Sequence, residues 1–532
     1  MALRWVIMFA LATFVVGEQD PLNWWKTTIV YQVYPRSFRD SNGDGNGDLN
    51  GITEKLDHFK DLGVGTVWLS PIYKSPMVDN GYDISDFYDV DPSFGTLEDF
   101  DRLVARAKEL DLKVVLDFVP NHSSDENEWF QKSVQRIDPY TDYYVWHDGK
   151  IDETGKRVEP SNWVSIFSGS MWTWNDQRQQ YYLHQFGYKQ PDLDFRNTAV
   201  KEEMKNVIRF WLNRGVDGFR VDAVPHIVED ADFTDEELTN NPGVPPTDYN
   251  YLYHVHTANR PETYEVIKEW RKFMDEEFKE KDNHTRLIMT EVYASVEETM
   301  GYYGNDTHPG AYFTFNFNLV NAASSSSSAH DFNRIIHDWM DNMPEGRQAN
   351  WVAGNHDNSR IATRYGAAMV DAINMMVTLL PGTGVTYYGE ELGMEDTYIE
   401  NPTDNRDPER TPMQWDNSTS GGFSSSESTW LPVNPNYKEL NLVAEKEASR
   451  SHYHVYKDLV KARQTPTIQN GRLYTNVIAD KIFSFSRELD DSDIYVVVVN
   501  VSDGTESVDL ASVQKVSRIL TLEPRDAVVL TK

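Results

Sequence analysis

Apolar residues fall along the chain in short runs, and each run ends on a polar or aromatic cluster. The runs are IVYQVYP (29–35), TVWLSP (66–71), KVVLDFVPNH (113–122), GFRVDA (218–223), RLIMTEVY (286–293), YFTFNF (312–317), NWVAGNHD (350–357) and GVTYYGEE (384–391). Their length and their β-branched and aromatic content predict buried strands. Between most of them the period changes to that of a helix. In TLEDFDRLVARAKEL (96–110), Thr96 can cap the first turn, and Leu97, Phe100, Val104 and Ala107 form one apolar stripe. VKEEMKNVIRFWLNRG (200–215) turns Val207, Phe210 and Trp211 inward and stops at a glycine. Alternation of this kind implies parallel βαβ units. Eight strands imply an α/β fold, a (β/α)8 TIM barrel; an open doubly wound sheet is the alternative that the pattern alone allows. In such barrels the chemistry sits at the C-terminal ends of the strands. The clusters PNH, DA, EVY, NHD and GEE all fall there.

Two stretches break the alternation. Residues 121–193, rich in Trp, Tyr and Asp, are too long for a βα loop and read as a small domain inserted after the third strand. After the helical SHYHVYKDLVKARQ (451–464) come RLYTNVIA, KIFSFSRE, IYVVVVNV and RILTLEPRDAVVL, which predict a C-terminal antiparallel β-sandwich. The expected division is a barrel in two parts, 18–120 and 194–465, around an insertion at 121–193, with the β-domain at 466–532. The Ser run at 324–328 and GGFSSSESTW read as solvated loops.

The first twenty residues, MALRWVIMFALATFVVGEQD, carry Arg4, an apolar run from Trp5 to Val16 and then Gly17. That run is too short to span a bilayer comfortably and predicts a cleavable signal peptide over 1–17, with a short signal anchor as the alternative. Asn-x-Ser/Thr sequons at Asn283, Asn305, Asn417 and Asn500 fit a secreted chain. No cysteine is present, which excludes disulfides, thiolate metal sites and cysteine nucleophiles. The formal net charge of −34 argues against nucleic acid and anionic membrane surfaces as partners and suits a neutral small-molecule substrate. Whether two copies pair as a homodimer stays open at this level.

Within DGFRVDAV (217–224), Phe219 and Val221 alternate with Arg220 and Asp222, so the strand should aim both charges to one face. Asp222, Glu291 and Asp357 each end a strand. Cleaving a sugar acetal takes two carboxyls in complementary roles, one ionised to attack the anomeric carbon and one protonated to feed the leaving oxygen. Arg220 should lower the pKa of Asp222, whereas the apolar LIMT before Glu291 should raise that of Glu291. Asp222 is therefore the expected nucleophile and Glu291 the expected acid/base.

VVLDFVPNH, DGFRVDAV, TEVY and GNHD together resemble the four short blocks of the α-amylase family of glycoside hydrolases. QPDLD (190–194) resembles its fifth block, with Asp where Asn is commoner, and RDPERTPMQWD (406–416) resembles the family's α-glucosidases, closest to insect maltases. The resemblance implies a retaining, exo-acting α-glucosidase with catalytic Asp222, Glu291 and Asp357, the last distorting the sugar and holding its hydroxyls. It implies a glucose pocket lined by Asp79, Tyr82, His122, Arg220, His356 and Arg406, with Arg410 nearby. Phe167, Phe186 and Gln190 would shape the entrance and the next subsite. In similar enzymes the residue after the nucleophile touches the leaving sugar. Ala223 there leans toward α-1,4 bonds, as in maltose, and toward sucrose-like substrates.

DSNGDGNGD (40–48) places Asp40, Asn42, Asp44 and Asp48 at the first, third, fifth and ninth positions of a calcium loop, with Gly45 at the sharp turn. The closing Glu of an EF-hand is missing, so a helix-loop-helix switch is not expected, and an acidic Gly-rich turn without metal is the alternative. The resemblance implies a structural Ca²⁺ in this loop, with the Asn46 carbonyl as a further ligand. Other readings kept open are a non-enzymatic surface receptor or transporter-associated glycoprotein on the same fold, and a transglycosylase or sucrose isomerase using the same residues.

Overall fold

The computed structural model describes residues 22–510 and 519–531; the expected signal peptide lies outside the described residues. All eight apolar runs are strands: β1 (Ile29–Val33), β2 (Thr66–Leu69), β3 (Lys113–Phe118), β4 (Gly218–Val221), β5 (Leu287–Thr290), β6 (Phe313–Thr314), β7 (Asn350–Val352) and β8 (Thr383–Tyr387). They form one parallel sheet in the order β6-β5-β4-β3-β2-β1-β8-β7. That order is a barrel open only between β6 and β7. A side chain spans this seam, because the Asn350 amide donates to Thr314 O (2.5 Å) and accepts from Asn316 N–H (2.9 Å). Two short strands there leave little ladder to form, and an Asn side chain supplies the missing backbone partners. Strand packing is tight enough to require glycine at one point. A Cβ on Gly218 would lie 2.3 Å from Leu287 O of β5.

The helix over 97–109 has the expected start and more. Thr96 and Asp99 cap it reciprocally, and the buried face runs through Asp99, Phe100, Leu103 and Ala107. Val104 is only half-buried because Leu103, one position earlier, takes the core side. Thr198–Asn213 buries Val207 and Trp211, with Phe210 at the edge.

The region after β3 folds around an antiparallel sheet of Trp146–His147, Gln180–Leu183 and Trp172–Asn175. A second excursion, between β4 and the helix Pro261–Met274, was not expected from sequence. Its residues pack on that sheet: the Phe233 ring meets Trp163 and Trp172, and Trp163 Nε1 donates to Thr234 O (2.8 Å). Low apolar periodicity in 229–260 hid it.

At the C-terminus, Arg472–Ile478, Ile482–Glu488, Tyr495–Asn500 and Ala527–Thr531 form an antiparallel sheet, and Glu506–Asp509 pairs with Ile519–Leu522 as a two-stranded one. The run RILTLEPRDAVVL is thus two strands, because the turn at 523–526 sends its halves to different sheets. Ile482, Val496, Val498, Val508, Leu520 and Leu522 pack between the two sheets.

Three sequon asparagines, Asn283, Asn305 and Asn417, are exposed. Asn500 is not available for glycosylation in the folded chain: it is fully buried, and its amide donates to Gly504 O and Glu523 O. GGFSSSESTW is not the solvated loop its composition suggested. Phe423 is fully buried, Ser424 Oγ donates to Asp40 Oδ2 (2.5 Å), and Trp430 stacks on Tyr34 under the Arg36 guanidinium. Ser328, at the end of the Ser run, caps the helix Ala329–Met340. Among the described residues no helix is long and apolar enough to cross a membrane.

Candidate active site

Strand β4 does what its alternation requires. Phe219 points outward onto Phe118, whose ring in turn meets Trp270 of the helix Pro261–Met274. Arg220 points inward and is 2% exposed, over the rings of Trp68 and Tyr82. Its guanidinium serves three carboxyls. Nη1 donates to Asp117 Oδ1 (2.7 Å) of β3 and to Asp222 Oδ1 (2.5 Å), and Nη2 lies 2.6 Å from Glu291 Oε1, just past β5. The second oxygen of Glu291 accepts the N–H of Ala223 (2.9 Å). Ala223 itself has φ +48, a left-handed conformation that its small side chain tolerates better than a β-branched one would.

One cation cannot offset three buried anions, so protons must be retained. Burial pushes Asp117 up to about 6, Asp222 up to about 7 and Glu291 up to about 8, in each case against the opposing pull of Arg220. For Glu291 the nearby Asp222 and Asp357 add to the rise. The expectation that Arg220 would bring Asp222 below the ordinary carboxylate range is therefore corrected. Desolvation exceeds the attraction of a guanidinium that is shared three ways. Asp222 is nevertheless the more acidic of the two, about 7 against about 8 for Glu291.

Asp357 is the opposite case. Burial raises its pKa, but neighbouring cations overcome that and hold it well below the usual range. His356 is held to about 3 by burial and is neutral at pH 7, so the attraction there comes from Arg410 and Arg406. Arg410 Nη2 donates to Asp357 Oδ1 at 2.9 Å and Arg406 Nη1 at 3.1 Å. Arg406 also reaches Asp79 Oδ1 (2.8 Å), which ties two acids of the cavity wall together, and Asp404 fixes Arg406 from behind (2.7 Å). Arg410 is fully buried and reaches the site through Asp357.

The acids line a cavity of about 390 Å³ with Asp79, Tyr82, His122, Phe167, Phe186, His356 and Arg406 in its wall. The Tyr82 ring lies parallel to His356, with its hydroxyl 2.6 Å from His356 Nε2 and donating to Asp117 Oδ2 (3.1 Å). With the Gln32 amide donating to His356 Nδ1 (2.9 Å), the ring proton sits on Nε2. His122 has burial holding it near 4, and its Nε2 faces Tyr82 O (3.1 Å). Gln190, behind the wall, donates to Asp79 Oδ2 (2.9 Å). Phe167 is 47% exposed at the mouth and meets Phe186 edge-on, which rules out plain core packing for Phe167. Arg220 contributes through its carboxyl partners at the floor.

Several lining residues were not singled out from sequence. Tyr293 ends the TEVY block, stacks on Phe317 (4.2 Å) and accepts from Asn355 and Asn358. His226 and Tyr249 come from the unexpected excursion after β4. Asp117 stood inside a quoted block, where its position on β3 beside Arg220 was the available signal.

The loop at 40–48 folds inward on its own amides. Asp40 Oδ2 accepts from Gly45 N–H (2.8 Å), the first-to-sixth contact that shapes a calcium-loop turn, with Gly45 at φ +93. Asn42 and Asp44 each accept the amide two residues on, Arg36 Nε donates to Asn46 Oδ1 (3.0 Å), and Asp48 caps the helix Leu49–Glu54. The donor set is all oxygen, as Ca²⁺ prefers. Among the described residues no three His, Asp or Glu side chains meet as a metal cluster, so a cation here would also need the amide and carbonyl oxygens of Asn42 and Asn46.

The sequence profile described as Alpha amylase, catalytic domain, matches residues 32–471. Maltase A1 of Drosophila melanogaster is 50% identical over 520 residues, covering 93% of this chain and 90% of its own length. Alpha-glucosidase of Apis mellifera is 46% identical over 537 residues, covering 97% and 93%. Among solved structures, that of the alpha-glucosyl transfer enzyme XgtA superposes with a TM-score of 0.85 at 33% identity, covering 96% of this chain and 99% of that one. With a profile match over most of its length, half its residues shared with a full-length relative, and its acids at the strand ends of a (β/α)8 barrel, the chain belongs to the α-amylase family.

Proposed function

We propose that the protein is a retaining, exo-acting α-glucosidase of the maltase type that releases glucose from the non-reducing end of α-1,4-linked di- and oligosaccharides, sucrose included. The observation that carries this reading is the Arg220 fork holding Asp222 and Glu291 together at the floor of one cavity. Carboxyls bridged in this way suit the close spacing of a retaining pair, about 5–5.5 Å, better than the wider gap in which an inverting enzyme seats water. Asp222 attacks the anomeric carbon and the aglycone oxygen takes the proton of Glu291; Glu291 then deprotonates the water that frees the sugar. Asp357, kept ionised by Arg406 and Arg410, accepts from sugar hydroxyls. The exo character rests on the Asp79–Arg406–Asp357 tie, which walls one side of a pocket sized for a small sugar. Proton NMR of the turnover of an aryl α-glucoside, whose aglycone adds no second glucose, tests the reading: α-glucose as the first sugar released supports it, and β-glucose as the first sugar released removes the retaining assignment. Products longer than maltose at low substrate concentration would instead favour the transglycosylase reading.

Linkage preference centres on Ala223. Ala223→Val adds two methyls in a left-handed backbone position beside the amide that holds Glu291. It is expected to lower kcat/KM for maltose about 10- to 100-fold, the range that one or two methyl groups can command, with a smaller loss on isomaltose. Parallel losses on both substrates would show that Ala223 does not sense the linkage.

Secretion is proposed from the N-terminal apolar run, and N-glycosylation from the exposed Asn283, Asn305 and Asn417. A structural Ca²⁺ is proposed at Asp40, Asn42, Asp44, Asn46 and Asp48, supported by the spacing of oxygen donors and the turn at Gly45. It would brace the loop against Ser424 and take no part in bond cleavage. Chelation is expected to lower the Tm by several degrees, with full recovery on adding Ca²⁺, because a ligand bound only to the folded state stabilises it. An unchanged Tm together with no calcium by elemental analysis would leave the loop as a turn held by its own hydrogen bonds.

A further inference from the structure

We propose that the N-terminal face of the barrel carries an oxyanion-binding site, separate from the sugar pocket. A second cavity, of about 290 Å³, opens there. Its wall takes Lys26 from just before β1, Tyr312 from just before β6 and Arg347 from just before β7, so it lies at the end of the strands opposite Asp222, Glu291 and Asp357.

Its chemistry is that of donors. Four cations, Lys26, Arg271, Lys279 and Arg347, converge on the cavity in a chain whose formal charge is −34. Two carboxylates partly offset them. Asp275 accepts from Arg271 Nε (2.8 Å) and lies 3.5 Å from Lys279 Nζ, while Asp306, 95% exposed, pairs with Arg347 (3.2 Å). Two positive charges stay in excess, and distant acids are screened over more than about 8 Å at physiological salt. Burial fixes part of the set: the Arg271 guanidinium stacks on Tyr312 at 3.6 Å and donates to Gly310 O (3.1 Å). Trp25, which is 5% exposed, adds its ring to the same wall. An oxyanion in the cavity supplies counter-charge to the four cations together. Phosphate or sulfate chemistry fits best, because several donors can share its oxygens. The edge-on Trp25 and Tyr312 rings (4.9 Å) leave an aromatic wall for an organic substituent.

The cavity sits beneath the β6–β7 seam, which Asn350 alone closes among the contacts described above. An anion bridging Tyr312's neighbours on one side and Arg347 on the other would brace the barrel where its backbone ladder is missing.

Isothermal titration of the full chain with inorganic phosphate, sulfate and a hexose phosphate at constant ionic strength tests this. Saturable one-site binding is expected, with a Tm rise of about one to two degrees over equal chloride. The double variant Lys279→Glu/Arg347→Glu should weaken binding at least tenfold while turnover of maltose stays at wild-type level, which also shows that it folds. Tighter binding of the ester assigns an ester to the site, and equal affinities assign the free oxyanion. Absence of saturable binding by all three, or binding unchanged in the double variant, overturns the proposal whatever the fate of the glucosidase reading.

Discussion

Asp222→Asn is expected to lower kcat on maltose by about 10⁴-fold or more, as removal of a covalent nucleophile does. The exchange keeps the volume and the hydrogen-bond reach of the side chain, and Arg220 retains Asp117 and Glu291, so the fold should survive. What is lost is the ability to carry the glycosyl group. A second consequence separates this from general damage. The negative charge of Asp222 raises the pKa of Glu291, so in the Asn variant Glu291 should ionise at lower pH. With Asp222→Gly, azide can enter the emptied space and attack an activated α-aryl glucoside, giving a β-configured glucosyl azide. Maltose turnover within tenfold of wild type by the Asn variant, or no azide product from the Gly variant while it binds glucose, would take the nucleophile role from Asp222.

The barrel was legible because each strand is an apolar run that the sheet buries, and because the polar residues that end the runs sit where a barrel places its site. Arg220 and Asp222 could be assigned to one face from alternation alone. What alternation could not supply was the number of carboxyls competing for Arg220. Asp117 lies on a neighbouring strand, and only the register Arg220↔Asp117 brings it in. The direction read for Asp222 failed for that reason: a pairwise rule was applied to a buried cluster of four charges, in which desolvation is the largest influence. The excursion over 224–260 was missed because it holds its place through single aromatics such as Phe233 and Tyr249 rather than through a periodic face. GGFSSSESTW was misread because composition does not register that Phe423 and Ser424 have the 40–48 loop to pack against. The split of the last predicted strand followed from pairing partners, which a run of apolar residues does not specify.

Glu291→Gln should separate acid assistance from the rest of catalysis. On maltose, where the leaving glucose oxygen needs a proton, the loss is expected at about 10²- to 10⁴-fold; on an aryl glucoside with a good leaving group the glycosylation step should stay within about tenfold. Equal losses on both substrates would count against the acid role. The pH dependence gives a second test. The active form has Asp222 ionised and Glu291 protonated, so kcat/KM for maltose should fall as pH drops through about 7 and fall again as pH rises through about 8. These limits belong to the coupled set rather than to single residues. In the Gln variant the alkaline limb should vanish on the aryl substrate, since no proton remains to be lost. Stability should follow a different course, falling with rising pH on both limbs of the activity profile. Both acids have folded-state values above their unfolded ones, so the stability that comes from burying them protonated is complete below about pH 4 and is lost as pH rises through about 7 and 8. Glu291→Gln removes one of these liabilities. Its Tm should match wild type near pH 4 and exceed it at pH 9. A Tm gain that is the same at both pH values would mean that the ionisation of Glu291 is not what strains the folded site.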